Sequence, residues 1–157
     1  MFLFGLKTAT CDCHSEKKLG FANGRSFSKI THVAKLPLEL PESSGLIYSK
    51  KDGMLISNND SGNKSELISF RPNGDLVNIQ SFETLKNIDW EDLTQDDQGN
   101  VYIGDFGNNR QMRKDLKIYK IGQSAVDTIN FRYADQLNFP PDQLNFDCEA
   151  IFWYQNR

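Results

Sequence analysis

Oxygen-bearing side chains recur in this sequence at matching offsets from short apolar runs. Glu42 and Ser44 precede Leu46, Asp89 and Glu91 precede Leu93, and Asp147 and Glu149 precede Ile151. In each case the two polar residues stand two apart, which on an extended chain puts both on one side. Carboxylates gathered on one surface repel one another unless something neutralises them. Calcium is the natural candidate, since it accepts six to eight oxygens in flexible geometry. Protonation of some of the acids is a second solution. Hydrogen bonding of the acids to backbone amides, with nothing bound, is a third. The metal-ligand candidates are therefore Ser44, Asp89, Glu91, Asp147 and Glu149.

A second group of polar residues follows two of these runs. Asn59-Asp60-Ser61-Gly62-Asn63 and Gly104-Asp105-Phe106-Gly107-Asn108-Asn109 each come after an apolar segment. Such density of Asx and Gly suits tight turns and left-handed backbone. It also suits a rim of oxygens and amides around a cation or polar substrate, with Asp60, Asn63, Asp105, Asn108 and Asn109 as candidates. Arg110 and Arg113 could face a phosphate or carboxylate, but as loop residues they read as solvated charges. Trp90, next to Glu91 and facing away from it, reads as a packing residue. Neither a phosphate loop nor a nucleophile elbow nor a zinc helix motif is present in the sequence. The two histidines, His14 and His32, have no sequence partner for a triad.

The elements that must position these groups are short strands. Alternating apolar segments are separated by Asp52-Gly53, Asn73-Gly74 and Gln98-Gly99 turns, which predicts two four-stranded antiparallel meanders. The first covers 44–49, 54–58, 66–70 and 76–82; the second covers 91–95, 101–105, 116–121 and 126–133. An edge strand over Lys29 to Leu36 is expected before them, and a further inner strand over Cys148 to Tyr154 after them. The anchors Leu46, Leu93 and Ile151 lie 47 and 58 residues apart, the range of four-stranded propeller blades. The expected fold class is all-β, a fragment of a β-propeller with two blades plus flanking strands. Inner strands would then line a channel, and the Asn/Asp/Gly loops would share one rim. Closed propellers have at least about four blades, so the chain is expected to be part of a longer protein. The remaining blades or another chain would cover its exposed faces.

The chain has 157 residues with net charge −3, 38% hydrophobic and 25% charged, enough for one domain with a core. Lys and Arg are scattered among the acids, so a nucleic-acid partner is not expected. Residues 1–28 read as a leader and linker, with 29–157 as the partial propeller. Met1 to Leu6 is apolar but too short to span a membrane. With Thr8-Ala9-Thr10-Cys11 it looks like the remnant of an export signal, with Cys11 as the candidate lipid attachment site. Cys11-x-Cys13 beside His14 lacks a nearby fourth ligand for zinc and reads as unpaired cysteines.

The motif series ESSGL at 42–46, NNDSGN at 58–63, DWEDL at 89–93, GDFGNN at 104–109 and DCEAIF at 147–152 resembles a group of exported bacterial β-propeller proteins. These are distantly similar to the esterase-like domains associated with phytases and to calcium-activated nucleotidases. The resemblance spans Leu36 to Trp153. It implies a central ion held by inner-strand Ser and Glu residues, here Ser44, Glu91 and Glu149. The function expected is a calcium-supported hydrolase of phosphoesters or esters. Alternatives are a non-catalytic propeller binding a cell-envelope polymer or protein, and a sugar-lactone hydrolase with one channel metal.

Overall fold

A computed structural model describes residues 31–155, and the described residues contain eight strands and no helix. The strands are β1 (Ser43–Ser49), β2 (Met54–Asn59), β3 (Glu66–Phe70), β4 (Leu76–Ser81), β5 (Trp90–Gln95), β6 (Val101–Asp105), β7 (Lys117–Ile121) and β8 (Val126–Asn130). They form two four-stranded sheets in the orders β1-β2-β3-β4 and β5-β6-β7-β8. Every neighbouring pair is antiparallel. The two meanders read from turn residues and alternation are therefore present, with ends shifted by at most a few residues.

The turns explain the hairpins. At the β5–β6 connection Gly99 donates to the Asp96 carbonyl at 3.0 Å and takes φ 86°, a conformation that costs glycine least. The Asp96 carboxylate holds the rest of this turn. It accepts from the backbone of Gln98 and Asn100, from the Asn100 side chain and from the Tyr102 hydroxyl, at 2.7–3.1 Å.

The core lies where the sheets meet. Trp90, Leu93, Val101, Ile103, Tyr119 and Ile121 of the second sheet pack with Leu67 of the first, and Ile47 and Ile56 close over them. Trp90 is fully buried, donates its indole N–H to the Lys86 carbonyl at 3.0 Å and tilts against the Tyr119 ring. Truncating a side chain of that size costs about 3–5 kcal/mol. The outer strands β4 and β8 are exposed along their whole length.

Close approach of the sheets depends on Gly45 in β1. A Cβ built there would lie 2.6 Å from the Leu93 amide nitrogen and 2.7 Å from Asn58 Oδ1. Asn58 uses that space to join the sheets. Its Oδ1 accepts the Gly45 amide at 3.1 Å and its Nδ2 donates to the Trp90 carbonyl at 3.1 Å.

Both flanking strands expected from the sequence are corrected. Thr31 to Leu36 is irregular, and positions 29 and 30 lie outside the described residues. His32 is accordingly exposed but not on a strand. Cys148 to Tyr154 forms no strand ladder either. It runs beside β5, and its amides find side-chain acceptors there: Ile151 donates to Asp92 Oδ2 at 3.0 Å and Trp153 to Thr94 Oγ1 at 2.9 Å. The Trp153 ring stacks on Tyr102 at 5.6 Å. Cys11, Cys13, His14 and the leader lie outside the described residues.

Candidate metal centre

The inner hairpins of both sheets carry an irregularity at the same place. In β1, Ser43 pairs with Asn59 and Leu46 with Ser57, leaving Ser44 and Gly45 opposite Asn58 alone. In β5, Trp90 pairs with Asp105 and Asp92 with Gly104, leaving Glu91 without a partner residue. Bulges of this kind kink a strand and re-aim the side chain at the extra residue. Here the bulges fall on Ser44 and Glu91.

The bulge overturns one expectation. Simple alternation would place Asp89, Glu91 and Leu93 on one side. Instead Leu93 joins Trp90 in the core, while Glu91 is turned out and half-buried. Alternation stops predicting direction at an inserted residue, and nothing in the composition of Trp90-Glu91-Asp92 marks it.

Freed in this way, Glu91 meets Asp89 and a residue from the other sheet, Asp60. One carboxylate oxygen from each of the three lies within 4.8 Å of the others. Oxygens bound to one calcium at 2.3–2.6 Å are separated by at most roughly 5 Å, so the spacing suits a single ion. Gly107 makes room for the group. A Cβ there would fall 2.5 Å from the Asp89 carboxylate and closer still to Glu91 Oε1. The Gly107 amide also donates to the Asp89 carbonyl at 3.1 Å, which holds the loop down on the acids. The donor set is all oxygen and the cradle is open at Gly107, so these residues fit a hard divalent cation.

The electrostatics agree with the crowding. Glu91 is raised to about 8 by burial and then by the charges of Glu149, Asp60, Asp89 and Asp147. Asp89 is also raised, by burial first, with Asp60 and Asp105 adding to it and Ser61 and Arg113 opposing. Four acids act on Glu91, and the Arg113 guanidinium that opposes the rise at Asp89 is paired with another carboxylate.

That carboxylate is Asp105. It is fully buried, accepts the Asp89 amide at 3.1 Å through Oδ1, and pairs with Arg113 Nη2 at 2.9 Å. Its Oδ2 has no hydrogen-bond partner among the described residues. Burial raises its pKa, with Arg113 opposing. The expectation of an open rim residue is corrected, because Asp105 sits behind the acids as a support. Arg113 is corrected with it. Its guanidinium is not a solvated charge, since it also donates to the Gly107 carbonyl at 2.9 Å and to Asp115 at 3.2 Å. Arg110 is exposed.

The other candidates divide between this group and the scaffold. Ser44 donates to the Glu91 carbonyl at 2.5 Å, which fixes the bulge from the facing sheet. Asp147 and Glu149 are near enough to act on Glu91 electrostatically, but they are outside the three-carboxylate group. Asp147 Oδ1 accepts the Asn108 amide at 2.7 Å. Asn108 is buried and committed to folding, donating to the Phe146 carbonyl and accepting the Arg113 amide. Asn63 donates to Glu42 Oε2 at 2.7 Å and to the Asp60 carbonyl, so it shapes the loop that presents Asp60. Asn109 is exposed.

Two contributors were not singled out from the sequence. Gly107 could be suspected only from its motif. Asn87, whose side chain donates to the carbonyls of Asn59 and Asp60 and accepts the Trp90 amide, ties the Asp60 loop to β5 with no sequence signal. Compared with known proteins, the chain matches no family model, no curated protein and no solved structure.

Proposed function

We propose that this chain forms two blades of an exported β-propeller that binds calcium through Asp60, Asp89 and Glu91, and that the bound ion supports hydrolysis of a phosphoester or ester. The observation that carries the reading is the convergence of three carboxylates from two sheets on a cradle kept open by Gly107. A cation replaces the proton that Glu91 otherwise holds, so binding weakens as the pH falls below neutrality. Three carboxylates in a half-exposed setting suit the weak affinity of extracellular modules, about 10⁻⁴–10⁻³ M. Ser44, Asp147 and Glu149 surround the group and would complete it through water. Further blades or another chain would cover the exposed Leu46 and Tyr48 on one side and Phe152 and Tyr154 on the other.

Calorimetric titration of the full chain with calcium tests this. Saturable binding that is lost in Asp89→Asn and in Glu91→Gln is expected, together with calcium-dependent turnover of p-nitrophenyl phosphate or p-nitrophenyl acetate. No calcium binding at millimolar concentration sinks the metal reading. Binding without turnover of either substrate leaves a non-catalytic propeller that presents a cation to an envelope polymer.

A further inference from the structure

We propose that a cleft at the open end of the β7–β8 hairpin binds a small organic anion with a flat apolar body, independently of the acid cluster. The cleft has a volume of about 230 Å³ and lies between the segment entering β7 and the segment leaving β8. The two segments are closed together by the Phe131 amide, which donates to the Leu116 carbonyl at 3.0 Å. Its size is below that of drug-sized sites, roughly 300–1,000 Å³, and suits a single ring with one charged group.

Its charge runs against that of the chain. Lys114 and Arg132 line it, and neither has a carboxylate partner among the described residues. Lys114 instead stands 4.6 Å over the Phe139 ring, a contact that steers the ammonium without neutralising it. Of the nearby acids, Asp105 and Asp115 are matched by Arg113 at 2.9 and 3.2 Å and by Lys117 at 3.7 Å, while Asp147 and Glu149 act on the cleft through Tyr133. Arg113 directs its donors at Asp105, Gly107 and Asp115, and Lys114 and Arg132 line the cleft beside it.

Two further polar residues, Gln136 and Tyr133, line the cleft. Gln136 is only 8% exposed and donates to the Gln111 carbonyl at 2.9 Å, while its Oε1 accepts nothing from the described residues. The Tyr133 hydroxyl likewise makes no hydrogen bond to the described residues. Burial, followed by the charges of Cys148, Asp147 and Glu149, pushes it up to about 12, so it remains a donor at all physiological pH. Phe131 and Phe139 supply the apolar walls. An anionic head between Lys114 and Arg132, with a ring against the two phenylalanines, matches both the charged and the apolar lining.

The test titrates the full chain with phenyl phosphate, with benzoate and with uncharged benzyl alcohol, in chelator and at low salt, following backbone amide shifts. Saturable shifts confined to residues 113–116 and 131–139 are expected for at least one of the anions. Benzyl alcohol should bind at least about tenfold more weakly, and Lys114→Gln/Arg132→Gln should weaken the anion by a similar factor. Both replaced side chains are exposed, so the variant is expected to fold, and its unchanged circular dichroism checks this. Preference between the two anions identifies the head group. The proposal is overturned if neither anion saturates by about 10 mM, or if the double variant binds as tightly as the parent.

Discussion

Corresponding corners of the two sheets solve one structural problem with different chemistry. In the first sheet the Glu42 amide donates to Asn59 Oδ1 at 3.2 Å; in the second the Asp89 amide donates to Asp105 Oδ1 at 3.1 Å. Asn59 and Asp105 occupy the same place, at the end of the second strand and opposite the bulged strand. The neutral amide completes its bonding locally, with Nδ2 donating to the Glu39 carbonyl at 2.7 Å. The carboxylate cannot donate, so it carries a charge into full burial and requires Arg113 beside it. The difference teaches where this fold tolerates charge. One corner is structural and neutral, while the other keeps an ion pair directly behind the acids that converge in front of it.

Removing the cation should have the largest effect. Arg113→Leu leaves Asp105 buried and unpaired, which costs about 3–5 kcal/mol in chemical denaturation. Asp105→Asn copies the Asn59 solution and keeps the acceptor for the Asp89 amide. Arg113 would retain Gly107 and Asp115, so the cost should be much smaller, about 1 kcal/mol. Equal losses in the two variants would break the comparison.

The two cradle glycines give the next contrast. At Gly45 the added methyl meets backbone of the facing strand, the Leu93 nitrogen and the Asp92 carbonyl carbon, at 2.6 and 2.9 Å. Gly45→Ala should therefore force the sheets apart and cost about 1–3 kcal/mol. At Gly107 the obstacles are the ends of carboxylate side chains, which can move. A thermal midpoint for Gly45→Ala equal to the parent's would show that the sheet contact is softer than its geometry.

Much of the scaffold was legible because its signals are local. Asp52-Gly53, Asn73-Gly74 and Gln98-Gly99 mark turns, and the alternation between them marks strands, so all eight strands were found. Alternation describes faces and not partners, however. Lys29 to Leu36 alternates without joining a ladder over its described part, and Cys148 to Tyr154 docks on side chains where backbone acceptors were expected. Within the site, Asp89 and Glu91 were legible as a pair. Asp60 reads from the sequence as a residue of a separate rim, because its approach depends on two bulges and on Asn87 bridging the sheets. The Arg113–Asp105 pair is not legible for a similar reason, since a loop arginine has no sequence mark that distinguishes burial from solvation.

The smallest effect is also the most specific to the charged corner. The Glu91 carboxyl is raised from an ordinary 4.5 to about 8 in the folded chain. The folded state therefore holds a proton that the unfolded state releases, and stability falls as pH rises between these values. That contribution is complete below the unfolded value and lost above the folded one. Asp89 and Asp92 are also raised and act in the same direction, from a lower starting pH. Solvent screening of the half-exposed Glu91 leaves only part of this linkage, so in chelator the thermal midpoint should drop by a few degrees between pH 5 and pH 8. Glu91→Gln, which carries no titrating group, should remove most of that slope. Saturating calcium should flatten the parent's profile, because the ion supplies at pH 8 the neutralisation that the proton supplies at pH 5. A slope that survives Glu91→Gln would place the titrating group elsewhere, and a slope that survives calcium would separate the proton's site from the ion's.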